Sequence, residues 1–435
     1  MKKDSATENI DFAAPEFIAH MQDEKLREQV AYMAEYSPYY RTLFAEMNIR
    51  AEEIRTVADL QQLPVTTKED LHLHNEDFFC VPRKEIIDYV TTSGTLGDPV
   101  VVALTENDLQ RLAYNEARSF AVAGFTSDDV FQLMTTIDRR FMAGMAYFLG
   151  ARELGAGVVR VGSGMPELQW DSIMRLRPTV LVAVPSFLVK MIDYAREHNI
   201  DFQNSSVKKA ICIGEPLRNA DFSLNTLGKR IADHWPIDLH TTYASTEMST
   251  AFTECEHGVG GHQLPELIVV ELLDDHHLPV GDGEVGEVVI TTLGVEGTPL
   301  LRYKTGDLCI AHRDPCACGR TTMRLSPVVG RKQQMIKFKG TTLYPPALYD
   351  VLHHIDGVDD YLVEVYTNDL GTDAIRVCLA SSRNDDKFIK VIKDRFRARL
   401  RVAPDIVFCD AAEIKRRKFP EMSRKPVVFF DLRKA

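Results

Sequence analysis

No apolar run in this chain is long enough to cross a bilayer. The most apolar stretch covers residues 179–189, is interrupted by Pro185 and has the pattern of a buried strand running into a helix. Residues 1–20 mix Lys, Asp and Glu and hold no apolar core of signal-peptide length. Export is therefore not expected, and a cytoplasmic, reducing compartment is. In such a compartment the eight cysteines are expected to be free, buried or metal-bound rather than disulfide-paired. Basic charge is also short, with 51 Lys and Arg against 63 Asp and Glu, a net of −12. That balance argues against a general binder of nucleic acid or anionic membrane, while leaving room for a local basic pocket that takes small anions. Internal repeats and low-complexity segments are absent by inspection.

What is present is an ordinary globular composition, 45% hydrophobic and 26% charged, in 435 residues. That length exceeds one simple core and implies two or three domains. Leu26, Val30, Met33 and Tyr36 recur at helical spacing in the first part of the chain. From Tyr89 onward short β-branched runs (89–90, 100–104, 130–135, 157–161, 180–184) alternate with helical patterns at 107–123, 168–176 and 187–198. This alternation implies a large α/β core with parallel strands. Strand patterns at 268–273, 286–291 and 307–311, separated by Gly and Asp turns, suit a small β subdomain over about 250–330. The chain then restarts as a compact α+β unit, with strands at 334–338, 361–366 and 374–379 and helices at 346–355 and 386–400. The expected domains are 1–332 and 333–435, with the boundary near 331–333.

The first chemical signal is Tyr89-Val-Thr-Thr-Ser-Gly-Thr-Leu-Gly-Asp-Pro99. Glycines and hydroxyl residues between two β-like runs can turn backbone N–H groups toward phosphate oxygens. The run is not the Gly-x-x-x-x-Gly-Lys-Ser/Thr loop, because no Lys stands in the required place. Taken alone it is equally a polar hairpin turn. Downstream, in order, come Gly214-Glu-Pro216, Thr241-Thr-Tyr-Ala-Ser-Thr-Glu247, Arg302-Tyr-Lys-Thr-Gly-Asp307 and Gly330-Arg331.

With these motifs the sequence resembles the adenylate-forming superfamily of acyl-CoA synthetases, luciferases and peptide-synthetase adenylation domains, and most nearly the phenylacetate–CoA ligase family. Leu63-Pro-Val-Thr-Thr-Lys-Glu-Asp-Leu71, Val184-Pro-Ser186, Thr291-Thr-Leu293, Pro299-Leu-Leu-Arg-Tyr303 and Gly340-Thr-Thr-Leu-Tyr-Pro345 extend the likeness over nearly the whole chain. The resemblance implies a mobile loop of Ser93, Gly94, Thr95 and Gly97 over the ATP β- and γ-phosphates. Here Leu96 stands in place of a hydroxyl residue and Asp98 in place of a common Lys, which removes a donor and a positive charge. Gly214, Glu215 and Pro216 match the segment lining the adenine, and Tyr243 the aromatic near the purine. Thr246 and Glu247 match the α-phosphate and Mg²⁺ positions; alone, Glu247 would be an exposed loop acid. Asp307 matches the carboxylate on the ribose hydroxyls (alone, a turn residue after a glycine), and Arg331 an arginine reaching ribose or phosphate. The hinge position falls on Gln333 instead of the usual Asp, ahead of a mobile C-terminal lid. Lys425, in Ser423-Arg-Lys-Pro-Val-Val-Phe-Phe-Asp431, matches the lysine bridging the acyl carboxylate and α-phosphate. It lies in a basic stretch with Lys415, Arg416, Arg417, Lys418 and Arg424. Phe141, Ala143, Pro185 and Ala244 are expected to wall the acyl pocket, with Asp138-Arg-Arg140 unusually polar just upstream.

Cys255, Cys316 and Cys318 with one imidazole compose a Cys₃His set favoured by structural zinc. The resemblance points to His262 as the fourth ligand, with His257 the other candidate. Four protein ligands leave no open position, so no catalytic role is expected there. Cys80, Cys212, Cys309, Cys378 and Cys409 are isolated in sequence and expected in cores. The implied activity is AMP-forming ligation of an aryl, phenylacetate-like acid to coenzyme A, using ATP and Mg²⁺, by a protein compatible with a homodimer. Other readings are an adenylating ligase that loads a carrier protein or an amine, a degenerate nucleotide binder, and a zinc-dependent interaction or RNA module. Against the last stand the acidic charge and the lack of a basic, aromatic-rich face.

Overall fold

The computed structural model describes residues 7–92, 100–338, 341–368, 372–420 and 426–433. Two compact units emerge, one of Met1–Leu224 with Gly228–Pro327, the other of Asn225–Leu227 with Val328–Ala435.

In the first unit the helix Pro15–Tyr36 buries Leu26, Val30 and Met33, as their spacing predicts. Tyr36 departs from that pattern. It is the last helical residue, remains exposed, and lies against Tyr32 with ring centroids 4.9 Å apart. The β-branched runs near 89–90 and 100–104 also depart from the expected parallel core. They pair with each other, antiparallel, as Asp88–Thr91 and Val101–Leu104. A connection this short permits only an antiparallel return, since a parallel one needs a crossover. Residues 93–99 form that connection and lie outside the described residues.

Further on the parallel expectation holds. Gly157–Arg160, Val130–Leu133, Val180–Ala183, Lys209–Cys212 and Asp238–Ser245 are neighbours in that order, each pair parallel. All of Val180–Ala183 is buried, as a strand covered on both faces should be. On one face Phe131, Leu133, Val180, Val182 and Ile211 pack with Phe120, Tyr147 and Ala151, residues of the helices Glu106–Val122 and Met142–Leu154. Toward the helix Pro166–Leu176 points Gln132, whose amide donates to the Gln169 side chain at 2.8 Å. Alternate residues of one short strand thus serve opposite layers.

At Asp238–Ser245 the sheet changes character. Its other neighbour, Thr250–Glu254, runs antiparallel, and the order continues Gly261–His262, Arg324–Leu325, Tyr303–His312, Val285–Thr292 and Ile268–Leu273. The strand expected at 307–311 is longer than its pattern: it starts at Tyr303, and Tyr303 and Lys304 pair with Ile290 and Val289 ahead of a register shift. Asp307 therefore sits inside a strand rather than in a turn.

The second unit has a four-stranded sheet in the order Asp405–Phe408, Asp373–Ala380, Asp360–Thr367, Phe429–Asp431. Its central pair is antiparallel and both edges are parallel. Phe388, Ile392 and Phe396 of the helix Asp386–Leu400 pack on Val363, Val365 and Val377 to make the core. Cys378 and Cys409 are not isolated as their sequence positions suggest. They share a cluster with Leu362, Ala380 and Ile414, because the parallel pairing of 405–408 beside 373–380 brings them together. None of the eight cysteines is disulfide-bonded. No described helix is long and apolar enough to cross a membrane.

Glu116 is fully buried where the helices Glu106–Val122 and Met142–Leu154 meet, so close that a Cβ on Gly150 would strike the Glu116 Cβ. Burial pushes its carboxyl up from 4.5 to about 8. The folded state therefore holds a proton that the unfolded chain releases above about 4.5, and stability falls as pH rises toward 8. Glu116→Gln is expected to flatten this slope, which is at most about 1.4 kcal/mol per pH unit. Urea melts between pH 5 and pH 8 measure it; an unchanged slope would show that Glu116 is not its source.

Candidate nucleotide and acyl site

Parallel strands place their carboxyl ends along one edge, and ligands of such sheets settle where the chain leaves neighbouring strands in opposite directions. Here that point lies between Val130–Leu133, whose chain next visits the edge strand Gly157–Arg160, and Val180–Ala183 on its other side. The segments leaving those ends carry the sites singled out from sequence. Phe141 and Ala143, both half-buried, start the helix Met142–Leu154; Pro185, buried, starts Pro185–Glu197; Ala244 is exposed on Asp238–Ser245. Upstream of Phe141, Arg139 and Arg140 are exposed with left-handed φ of 59° and 57°. Two successive non-glycine residues in that region mark a constrained loop.

The helix Pro185–Glu197 has proline at its first position and no side-chain cap from Val184. Its Ser186 N–H instead donates to Glu215 Oε2 at 2.9 Å, and the Ser186 hydroxyl donates to Glu215 Oε1 at 2.9 Å. The Glu215 carboxylate thus serves as a remote helix cap, an arrangement worth about 1 kcal/mol. It fixes the Gly214–Pro216 turn beside the Pro185 segment. Gly214 itself has φ of 76°, a conformation that suits glycine.

Tyr243 and Asp307 meet directly: the phenol donates to Asp307 Oδ2 at 2.9 Å. Burial, then the Asp307 carboxylate, drives the Tyr243 phenol well above its ordinary value, so it remains a donor. The Asp307 N–H donates to Thr305 Oγ1 at 3.1 Å, which sets the local bend at Gly306. Burial also raises the Tyr303 phenol, and the charges of Glu247 and Asp307 add to that, so three of the predicted positions share one electrostatic neighbourhood. Thr246 and Glu247 are half-buried just past the strand end, in a turn closed by Met248 N–H on Ser245 Oγ at 3.2 Å.

The Cys/His residues also come together. The ligand atoms of Cys255, His262, Cys316 and Cys318 lie within 4.8 Å of one another. Cys255 Sγ is 3.7 Å from Cys316 Sγ, and Cys318 Sγ is 3.6 Å from His262 Nε2. A tetrahedral zinc with bonds of about 2.0–2.3 Å spaces its ligand atoms roughly 3.5–3.8 Å apart, so the donor set fits that ion. Burial, helped by Arg320 and Arg324, holds the His262 imidazole down to about 3, leaving a neutral nitrogen for a metal. Its Nδ1 lies 3.2 Å from the Thr322 hydroxyl, an orienting partner of the kind metal-bound imidazoles use. His257, the other candidate, is exposed beside Glu256 and outside the cluster.

In the second unit Arg331 is exposed and ends the short strand Gly330–Arg331, and Gln333 lies in the turn Lys332–Gln334. Ser93, Gly94, Thr95, Gly97 and Lys425 lie outside the described residues. Of the basic run near Lys425, Arg417 pairs with Glu364 at 2.5 Å and Lys418 with Asp360 at 2.6 Å. Sequence reasoning missed Ser186 as the partner of Glu215, and Arg218 and Glu254 beneath the motif strand. A Glu directly preceding the first metal-type cysteine was the available signal for Glu254.

A half-buried tyrosine bonded to a buried carboxylate, beside a parallel sheet whose switch-point segments carry the other motif residues, is the layout of a nucleotide-binding enzyme. A family model described as AMP-binding enzyme matches residues 39–296. A phenylacetate–coenzyme A ligase of Thermus thermophilus is 34% identical over 337 residues, covering 76% of this chain and 74% of that protein. One from Escherichia coli is 28% identical over 345 residues, covering 78% and 77%. Among solved structures, a 2-hydroxyisobutyryl-CoA ligase superposes with a TM-score of 0.84 at 21% identity, covering 100% of this chain and 94% of that one. The chain belongs to the AMP-binding enzymes and, within them, to the phenylacetate–coenzyme A ligase family.

Proposed function

We propose that this chain activates an aryl acid of the phenylacetate type with ATP, releases pyrophosphate, and passes the acyl group from the adenylate to coenzyme A, giving acyl-CoA and AMP. The observation that carries the nucleotide half is the Tyr243–Asp307 hydrogen bond of 2.9 Å. It sets a flat ring suited to a purine beside a carboxylate suited to ribose hydroxyls. The phenylacetate–coenzyme A ligases among its relatives support the acid class and the acceptor.

A carboxylate resists nucleophiles because of its own charge and its poor leaving group. Attack of a carboxylate oxygen on the ATP α-phosphorus forms a mixed anhydride and breaks the bond to pyrophosphate. The sulfur of coenzyme A then attacks the acyl carbonyl, the C–O bond to AMP breaks, and AMP leaves. The first step must bring two anions together, so catalysis is positioning plus charge compensation. That task falls to Lys425 between the acyl carboxylate and the α-phosphate, with Thr246 on the α-phosphate. Mg²⁺ held by Glu247 would supply the charge that offsets the phosphates. Ser93, Gly94, Thr95 and Gly97 cover the β- and γ-phosphates, while the backbone of Gly214, Glu215 and Pro216 lines the adenine and Arg331 reaches the nucleotide. Phe141, Ala143, Pro185 and Ala244 wall the acyl pocket. Gln333 is the hinge of the C-terminal lid, residues 333–435, against the adenylation domain, residues 1–332. Cys255, His262, Cys316 and Cys318 would hold a structural zinc, which would tie together the two loops that carry them.

Lys425→Ala is expected to slow adenylate formation roughly 10²–10³-fold while leaving thioester formation from supplied acyl-adenylate within about threefold. Pyrophosphate release and single-turnover thioester assays separate the two halves, and equal loss in both would sink the assignment. Elemental analysis should find zinc bound to the purified protein. Its removal, or Cys316→Ser, should lower Tm by roughly 5–10 °C; metal-free protein with an unchanged Tm after chelation would remove zinc from the proposal.

A further inference from the structure

Behind the motif strand lies a buried ion pair with no part in the mechanism above. Arg218 Nε stands 3.1 Å from both oxygens of Glu254. Glu254 is 1% exposed, and the Arg218 side chain 17%. Glu254 Oε2 also accepts the backbone N–H of Thr241 at 3.0 Å. The parallel ladder from Lys209–Cys212 ends at the Cys212–Thr241 pair, and the N–H at the head of the Thr241–Glu247 run donates to this charged side chain. Arg218 is anchored in turn. Its Nη1 donates to the Phe222 carbonyl at 3.1 Å, and its guanidinium lies against Gly258, where an added Cβ would collide with Nη2.

Three segments converge on this pair. Arg218 follows the Gly214–Pro216 turn by two residues. Glu254 ends the strand paired to Asp238–Ser245 and directly precedes Cys255. Gly258 belongs to the loop leading to His262. Here one Nε–H is shared between both carboxylate oxygens, a charge-assisted contact, and removing one partner leaves a buried charge exposed to the full desolvation penalty. The simplest role would be a plain staple, but a staple between any two strands would serve stability equally. This one ends on the first residue of the nucleotide run.

We infer that Arg218 and Glu254 are positioning residues for nucleotide binding. The pair sets where the run begins, and through it where Tyr243, Thr246 and Glu247 stand relative to the Gly214–Pro216 turn. This rests on the nucleotide reading above. Neither side chain is assigned a contact with substrate.

The test uses the full-length protein with Glu254→Gln, which keeps size and one acceptor, Arg218→Leu, which strands the carboxylate, and Arg218→Lys, which keeps the charge. Affinity for a non-hydrolysable ATP analogue is measured by calorimetry, and KM for ATP and for the acid by pyrophosphate release, each well below the variant's Tm. Glu254→Gln and Arg218→Leu should weaken nucleotide binding about tenfold, the scale of one charged hydrogen bond, with the KM of the acid unchanged within about twofold. Arg218→Lys, the mildest change, should recover part of the loss and keeps the test open if Arg218→Leu does not fold. Unchanged nucleotide affinity in all three overturns the inference. So does a parallel loss in both KM values and kcat that tracks the folded fraction. Wild-type protein that fails to bind the analogue would instead strike the nucleotide reading itself.

Discussion

The site depends on the curl of the antiparallel half of the sheet. Tyr243 and Asp307 lie on strands separated in hydrogen-bonding order by Thr250–Glu254, Gly261–His262 and Arg324–Leu325. In a flat sheet four such steps span about 19 Å, farther than a tyrosine and an aspartate can reach together. Their 2.9 Å hydrogen bond therefore requires the strands to wrap toward one another. Two of the intervening strands are only two residues long, which lets the ladder turn sharply at one end.

The same curl explains why the metal-type cluster sits where it does. Cys255 and His262 flank the turn from Thr250–Glu254 to the short rung Gly261–His262, and Cys316 and Cys318 come from the loop that joins the long strand Tyr303–His312 to the other short rung, Arg324–Leu325. Short rungs contribute few ladder bonds, so side chains must hold this region. A Cys₃His set can do so, as can Arg324, which donates to the Val259 carbonyl at 2.8 Å and to Asp314 Oδ2 at 2.9 Å. On the parallel side burial carries more of the load: all of Val180–Ala183 is buried, and one face of these strands packs on apolar residues of the helices Glu106–Val122 and Met142–Leu154. The proposed nucleotide residues Tyr243, Thr246 and Glu247 lie where the two regimes meet, on and just past Asp238–Ser245.

That division also governs what could be read from the sequence. The parallel strands and their helices declare themselves through β-branched runs and helical periodicity, and the helix Asp386–Leu400 falls where its pattern puts it. The motif residues were legible as chemistry, since hydroxyls, glycines and carboxylates in fixed order carry the family likeness. Their partners were not. Glu215 caps a helix whose Ser186 lies 29 residues earlier, and Glu254 serves Thr241 across a strand turn. Cys378 and Cys409 look isolated until a parallel pairing joins their strands. Such contacts arise from tertiary closure, which leaves no local periodicity behind.

The central claim is that the acid is activated as a free-standing adenylate before coenzyme A enters. ATP–pyrophosphate isotope exchange, run with phenylacetate and related aryl acids and without coenzyme A, tests it most directly. Exchange that requires the acid but not the thiol is the expected result. No exchange with any acid, or exchange only once coenzyme A is added, would contradict it.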